Sequence, residues 1–377
     1  MGDAMKQAMP VLMAAICLWL LCVVGASAQQ LRTPVFTTLD APDAGTGPGQ
    51  GTFSTSINAA GAAAGTDQDA NDVVHGFVRD PRGTFTVFDV PGAGTGIFQG
   101  TYAESINATG AVAGFYLDAG AVYHGFVRDP SGAFTVFDVP GAGTTAYVGT
   151  LPASINATGA IAGHFDDPNG ARHGFVRAAN GVITRFDAPE SGKRNGQGIE
   201  DCLINDAGII VGYYEDAGYV NHGFVRAANG TLTTFEAPLA GTAIHEGTTA
   251  AGINAGGSTT GCYVDAGNVG HGFVRTASGV VTAFDAPGAN ALGTCGAGIN
   301  AAGFITGEYL ISNQNGENEI RGFVRDAIGN AITTFRAPGA GVGAVGGTLP
   351  GGINQAGAII GSYVDANGAY HGFLLTP

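Results

Sequence analysis

Past its N-terminal leader the chain holds a single lysine, Lys193, and the whole sequence carries a formal net charge of −15. Nucleic acids and anionic membranes are gripped by clustered Lys and Arg that displace counterions, so neither is an expected partner. Helical periodicity is also missing after the leader. The 65 glycines among 377 residues explain that absence, since each Gly inside a helix costs about 1 kcal/mol against Ala. No second long apolar run follows the leader. No Cys-x-x-Cys pair marks a zinc site, no glycine-rich loop runs from a strand into a helix to cradle phosphate, and no nucleophile elbow is present. What remains is a pattern of short strands and tight turns.

The leader itself reads as an export signal. Lys6 precedes an apolar run from Val11 to Val24, and Ala26-Ser27-Ala28 supplies the small residues of a cleavage site. Residues 1–28 are therefore expected to be a signal peptide and 29–377 one domain, secreted or periplasmic, with no membrane span after cleavage. Cys17 and Cys22 would leave with the leader. Cys202, Cys262 and Cys295 remain, an odd number, so at least one thiol is unpaired or pairs between chains. Cys202 and Cys295 lie on one strand type and Cys262 on another, and all three are read as small buried residues.

The informative feature is self-similarity. His-Gly-Phe begins at His75, His124, His173, His222, His271 and His371, and Arg321-Gly-Phe takes the remaining place. Ile-Asn followed by Gly marks Asn58, Asn107, Asn156, Asn205, Asn254, Asn300 and Asn354 in step with it. Each copy contains four strand-like segments, here named A ("SIN"), B ("GAVAGFYLD"), C ("HGFVR") and D ("FTVFDVP"), separated by Gly, Asn, Asp and Pro. Four antiparallel strands in roughly 49 residues is the size of one propeller blade. The expected fold is all-β, a seven-bladed β-propeller of four-stranded blades. The last copy lacks strand D, whereas "PVFTTLDAPDAGTG" from Pro34 is an orphan D, so Val35 to Pro42 should pair with Gly372 to Leu375 and close the ring.

The pairing of "HGFVR" with "INATGAVAG" resembles the HAF-type extracellular repeat family, over about Phe36 to Leu375. Gly76 and Gly125 stand where that family has Ala. The resemblance implies export and a propeller-like ring, and it carries over no catalytic residue.

Six copies also hold an Asp six residues before the His: Asp69 with His75, Asp118 with His124, Asp167 with His173, Asp216 with His222, Asp265 with His271 and Asp365 with His371. In the sixth copy Ile311 and Arg321 take both places. The pairs are read as structural bridges across the B–C hairpin. Asp67, Asp69 and Asp72 in "TDQDANDVVH" offer a weaker alternative, a calcium loop, although two ligands per hairpin fall short of calcium's six or more oxygens. No other cofactor or metal is expected. Asp89, Asp138, Asp187 and Asp285, with Arg79, Arg128, Arg177 and Arg226, recur too regularly for one active site and are read as ties between blades.

Function should lie where the repeat is broken. Strand A is expected to line an axial channel through the third and fifth residues before each Asn, including Cys202. The only acids among the channel candidates are Glu104, Glu200 and Asp201, with no His or Arg joining them. On the face carrying the D–A and B–C loops, the departures are Lys193 and Arg194, His245 and Glu246, and Asn313 and Asn315 in the long loop of the sixth copy. The expected role is a non-catalytic binding module for a protein or neutral glycan at that loop face. The alternatives are an axial hydrolase, lactonase or lyase using Glu104, Glu200 and Asp201, and a structural envelope component.

Overall fold

Glycine, asparagine and aspartate cut the chain into twenty-eight strands, with no helix among the described residues. The computed structural model describes residues 34–290, 293–312, 316–343 and 346–377. The leader read at 1–28 and the loop candidates Asn313 and Asn315 lie outside the described residues. Within each repeat A, B, C and D pair antiparallel in sequence order. In the second repeat these are Gly100–Ile106, Val112–Leu117, Tyr123–Arg128 and Phe134–Phe137. The seventh has A, B and C at Gly347–Ile353, Ile359–Val364 and Tyr370–Thr376. Its fourth strand is Val35–Leu39, antiparallel to Tyr370–Thr376, with Phe36 opposite Leu375 and Leu39 opposite Gly372. Neighbouring repeats touch through single parallel contacts such as Arg172 opposite Gly198, and the ladders run as arrays of 16 and 12 strands.

The Ile-Asn motif owes its asparagine to a double task. The Oδ1 of Asn58 accepts the N–H groups of Ala60 and Ala62 and fixes its own turn, while its Nδ2 donates to the backbone carbonyl of Asn107 in the next repeat at 3.0 Å. The same bond runs from Asn107 to Asn156, on to Asn205, Asn254, Asn300 and Asn354, and from Asn354 back to Asn58. Aspartate could close the turn but not donate the second bond.

Packing between repeats explains the rest of the repeat sequence. Phe77, Phe126, Phe175, Phe224, Phe273, Phe323 and Phe373 on strand C are fully buried. The strand D phenylalanine of one repeat sets its ring against the strand C phenylalanine of the next, as Phe88 does against Phe126 at 6.2 Å. The guanidinium of Arg128 lies 4.9 Å over the same Phe88 ring, and Arg177, Arg226, Arg275 and Arg325 repeat the contact. These arginines therefore tie repeats together. Gly76 on strand C makes room for the next strand, because a Cβ there would come within 2.7 Å of the Phe88 ring. Gly65 on strand B is needed for the approach of strand A, since a Cβ would collide with the carbonyl oxygen of Phe53.

Candidate functional site

Strand A of every repeat is irregular at one residue. The pairing of A with B shifts between Ser54 and Ser56, and likewise around Glu104, Ala153, Asp201, Ala251, Ala297 and Gly351. A bulge leaves its extra residue outside the ladder. A cavity of about 220 Å³ touches strand A of all the repeats, and Thr55, Glu104, Ala153, Ala251, Ala297 and Gly351 line it. In the fourth repeat the bulge comes one residue earlier than in its sisters. Cys202, expected at the channel, is instead fully buried among Ile199, Ile210 and Phe224, and Asp201 takes the bulge with φ of 36°.

Of the three expected carboxylates, two interact. Burial and the Asp201 charge push the Glu104 carboxyl up to about 7. Asp201, open to solvent yet enclosed by protein, is raised by burial against the pull of Arg172. Glu200 does not join them, because the guanidinium of Arg172 forms an ion pair with it. The expectation that no His or Arg approaches the acids is corrected on this point. Arg172 also reaches Asp166 at 3.5 Å, whose carboxyl burial raises to about 6 against the same guanidinium. Burial and Arg172 together push the imidazole of His164 down to about 3, and its Nδ1 has no partner. The polar side of the centre thus comes from the second, third and fourth repeats. A cavity carboxyl raised to about 7 that feels the charge of a second acid could move a proton.

The six His residues each lie between two carboxylates, the expected Asp on the Nε2 side and a second one on the Nδ1 side. In five of them Nδ1 faces a carboxylate 14 residues on, just past the end of strand D: His75 with Asp89, His124 with Asp138, His173 with Asp187, His222 with Glu236 and His271 with Asp285, at 2.6–3.0 Å. His371 uses Asp40 at 3.0 Å, across the pairing of the chain's two ends. The expected partners Asp69, Asp118, Asp167, Asp216, Asp265 and Asp365 stay 3.4–3.9 Å from Nε2. With their other oxygen they also close the B–C turn, as Asp118 does by accepting the N–H groups of Gly120 and Val122 at Oδ1. Burial would raise the Asp118 carboxyl, but those two donors hold it below its usual range. Asp89, Asp138, Asp187 and Asp285 accordingly act within a repeat rather than between repeats. In the sixth repeat Arg321 and Arg336 replace the His and the strand D carboxylate, and Glu319 bridges them at 3.1 and 2.6 Å.

Asp67, Asp69 and Asp72 do not converge. Asp69 folds onto its own turn, Asp72 accepts from Gln50 and Gln68, and Asp67 is fully buried with neither oxygen partnered. Among the described residues no group of three His, Cys, Asp or Glu side chains could hold a metal ion. The cysteine reading is corrected as well. Cys262 on strand B of the fifth repeat and Cys295 on strand A of the sixth form a disulfide with Cα atoms 4.7 Å apart, and among the described residues Cys202 alone is free. Strand B of one repeat faces strand A of the next, which is why two strand types can bond.

On the loop face, Lys193, Arg194 and His245 are exposed. Glu246 is occupied by its own loop, where its Oε2 accepts the N–H of Ala243, the task Gln50 and Gln99 perform in sister loops. Sequence reasoning passed over Ile97, Phe98, Tyr147 and Ile244, all exposed on the same loops. A signal was available: these loops begin alike and differ only at their tips.

No protein-family model matches the chain, and neither does any curated protein sequence. Solved structures share its all-β, propeller-like fold. Puromycin hydrolase superposes with a TM-score of 0.51 at 9% identity, over 85% of this chain and 50% of that one. The β-propeller domain of the trilobed protease from Pyrococcus furiosus gives 0.47 at 8% identity, over 86% and 93%. The Aleuria aurantia lectin with Fucα1-6GlcNAc gives 0.44 at 12%, over 82% and 98%. The chain spans half the length of the puromycin hydrolase chain.

Proposed function

We propose that the protein is an exported, closed seven-bladed propeller that works as a non-catalytic binding module for a protein or neutral glycan at its loop face. Closure is supported by Val35–Leu39 lying beside Tyr370–Thr376 and by the Asn354 bond returning to Asn58. Export is supported by the leader sequence and by the resemblance to HAF-type extracellular repeats. The observation that carries the function is a constant scaffold with variable tips. Gly45, Gly94, Gly143, Gly192 and Gly241 begin the D–A loops with the same backbone bond to the end of strand B. Above it the exposed residues change class from one loop to the next, from Ile97 and Phe98 to Lys193 and Arg194 to Ile244 and His245. Loops on a rigid frame are where recognition resides. Glycan and peptide arrays probed with the protein test this. Binding is expected, and Lys193→Ser with Arg194→Ser should weaken or redirect it; blank arrays would refute it.

One observation favours a second reading, an axial acid–base enzyme: Glu104 lines the central cavity with its carboxyl raised to about 7, mainly by burial and in part by the charge of Asp201. Turnover in a lactone and polysaccharide screen, abolished by Glu104→Gln, would favour it over the first.

A further inference from the structure

Phe98, Tyr147 and His245 occupy one position in three D–A loops, with φ of 59°, 63° and 63°. In two sister loops that position is Gly49 and Gly196, with φ of 84° and 79°. The backbone there is left-handed, a conformation that Gly adopts without cost and a bulky L-residue does not. A Cβ added at Gly49 or Gly196 would meet nothing within 4 Å, so the position points away from the protein. Phe98 is accordingly 58% exposed and Tyr147 68% exposed. Neither the backbone nor the core gains from these rings. The backbone that carries them is nonetheless held in place: the N–H groups of Phe98, Tyr147 and His245 donate to the carbonyls of Asp72, Ala121 and Tyr219 at 2.7–2.8 Å. The carbonyl of Phe98 also accepts the hydroxyl of Tyr102 at 2.9 Å.

From this geometry we infer that Phe98, Tyr147 and His245 are pre-ordered platforms for the rings of an uncharged polysaccharide. The inference rests on the reading that the loop face binds, and it names the ligand class. The rings stand on separate loops, two of them beside a single exposed aliphatic, Ile97 or Ile244, and with Thr144 and Thr145 near the third, whereas a protein interface centres on one continuous apolar patch. A chain of sugars matches the separated pattern, because each residue offers an apolar C–H face to an aromatic ring and hydroxyls to its surroundings. Lys193, Arg194 and Asn195 on the loop between Tyr147 and His245 are exposed and can meet those hydroxyls. Single-stranded nucleic acid also stacks on aromatic side chains, but it needs a basic groove. The net charge of −15 disfavours it and acidic polysaccharides alike.

Affinity electrophoresis through gels containing laminarin, galactomannan, xylan or dextran, with alginate as the acidic comparison, tests the inference on the full chain. The wild type should be retarded by at least one neutral polymer and not selectively by alginate. Phe98→Gly with Tyr147→Gly should weaken that retardation at least tenfold and leave the melting temperature unchanged or higher. Passage unhindered through every neutral gel overturns the inference, as does retardation that the double substitution leaves intact. A melting temperature lowered by the glycines also overturns it, since the rings would then serve the fold. If peptides on an array still bind through Lys193 and Arg194 while all neutral gels are blank, the binding face stands and only the ligand class falls.

Discussion

Asp67 is the one residue at its position that is not aromatic. Sister repeats place Tyr116, Phe165, Tyr214, Tyr263 and Tyr363 there, each stacked on its histidine with centroids 4.9–5.1 Å apart. Asp67 is 0% exposed and both its oxygens lack a partner. Burial pushes its carboxyl from 3.8 to about 7, offset in part by His75 and reinforced by Asp43, Asp89 and Asp69. A shift of about three units at 1.36 kcal/mol each costs the folded state roughly 4 kcal/mol once the group is ionised. The sign follows from the raised acid. Between pH 4 and 7 the folded protein binds more protons than the unfolded chain, so this contribution to stability falls as pH rises and levels off above about 7. Asp67→Asn removes the titration, and Asp67→Tyr also restores the stacking ring. Urea unfolding followed by circular dichroism at pH 4.5, 6 and 8 should show the advantage of Asp67→Asn over wild type growing with pH, to about 4 kcal/mol at pH 8. His75 is itself raised: burial lowers it, but the Asp89 hydrogen bond and the charges of Asp89, Asp67 and Asp69 together outweigh burial, so a small part of the difference between the two proteins comes through His75. An advantage that does not change with pH, or a wild type more stable at pH 8, would refute the argument.

Removing residues 29–42 deletes the strand beside Tyr370–Thr376, the Phe36 ring set against Phe335 and Phe373, and the Asp40 partner of His371. At about 1 kcal/mol per ladder bond plus apolar burial the loss is several kcal/mol; a truncated protein that keeps its melting temperature and stays monomeric would contradict it. Reducing the bond between Cys262 and Cys295, which closes 33 residues, should lower stability by about 3–4 kcal/mol, measured as a lower urea midpoint in reductant. Asn205→Asp keeps the turn acceptor but loses the donor to the Asn254 carbonyl and sets a buried charge facing it. It should cost about 2–3 kcal/mol by the same assay, more at pH 7 than at pH 4.

Four strands per repeat were legible because the asparagine, glycine and phenylalanine that build each repeat recur at nearly fixed spacing. The features that escaped the sequence depend on what lies beside a residue in space. His124 has a second carboxylate that the spacing did not announce: Asp138, just past strand D, meets Nδ1, while Asp118 gives one oxygen to its own turn and turns the other toward Nε2. The bond between Cys262 and Cys295 needs the knowledge that strand B meets the next repeat's strand A. A bulge displaced by one residue exchanges Asp201 for Cys202 while leaving the Ile-Asn spacing untouched.

A hydrogen bond that every repeat both gives and receives has an evolutionary corollary. Since Asn107 meets Asn156 as Asn156 meets Asn205, each 49 residues along, a segment of that length could be exchanged or reordered by recombination without breaking the circle of asparagines. Only the loop tips would change neighbours, so shuffling whole segments would yield new surface combinations on an unaltered frame.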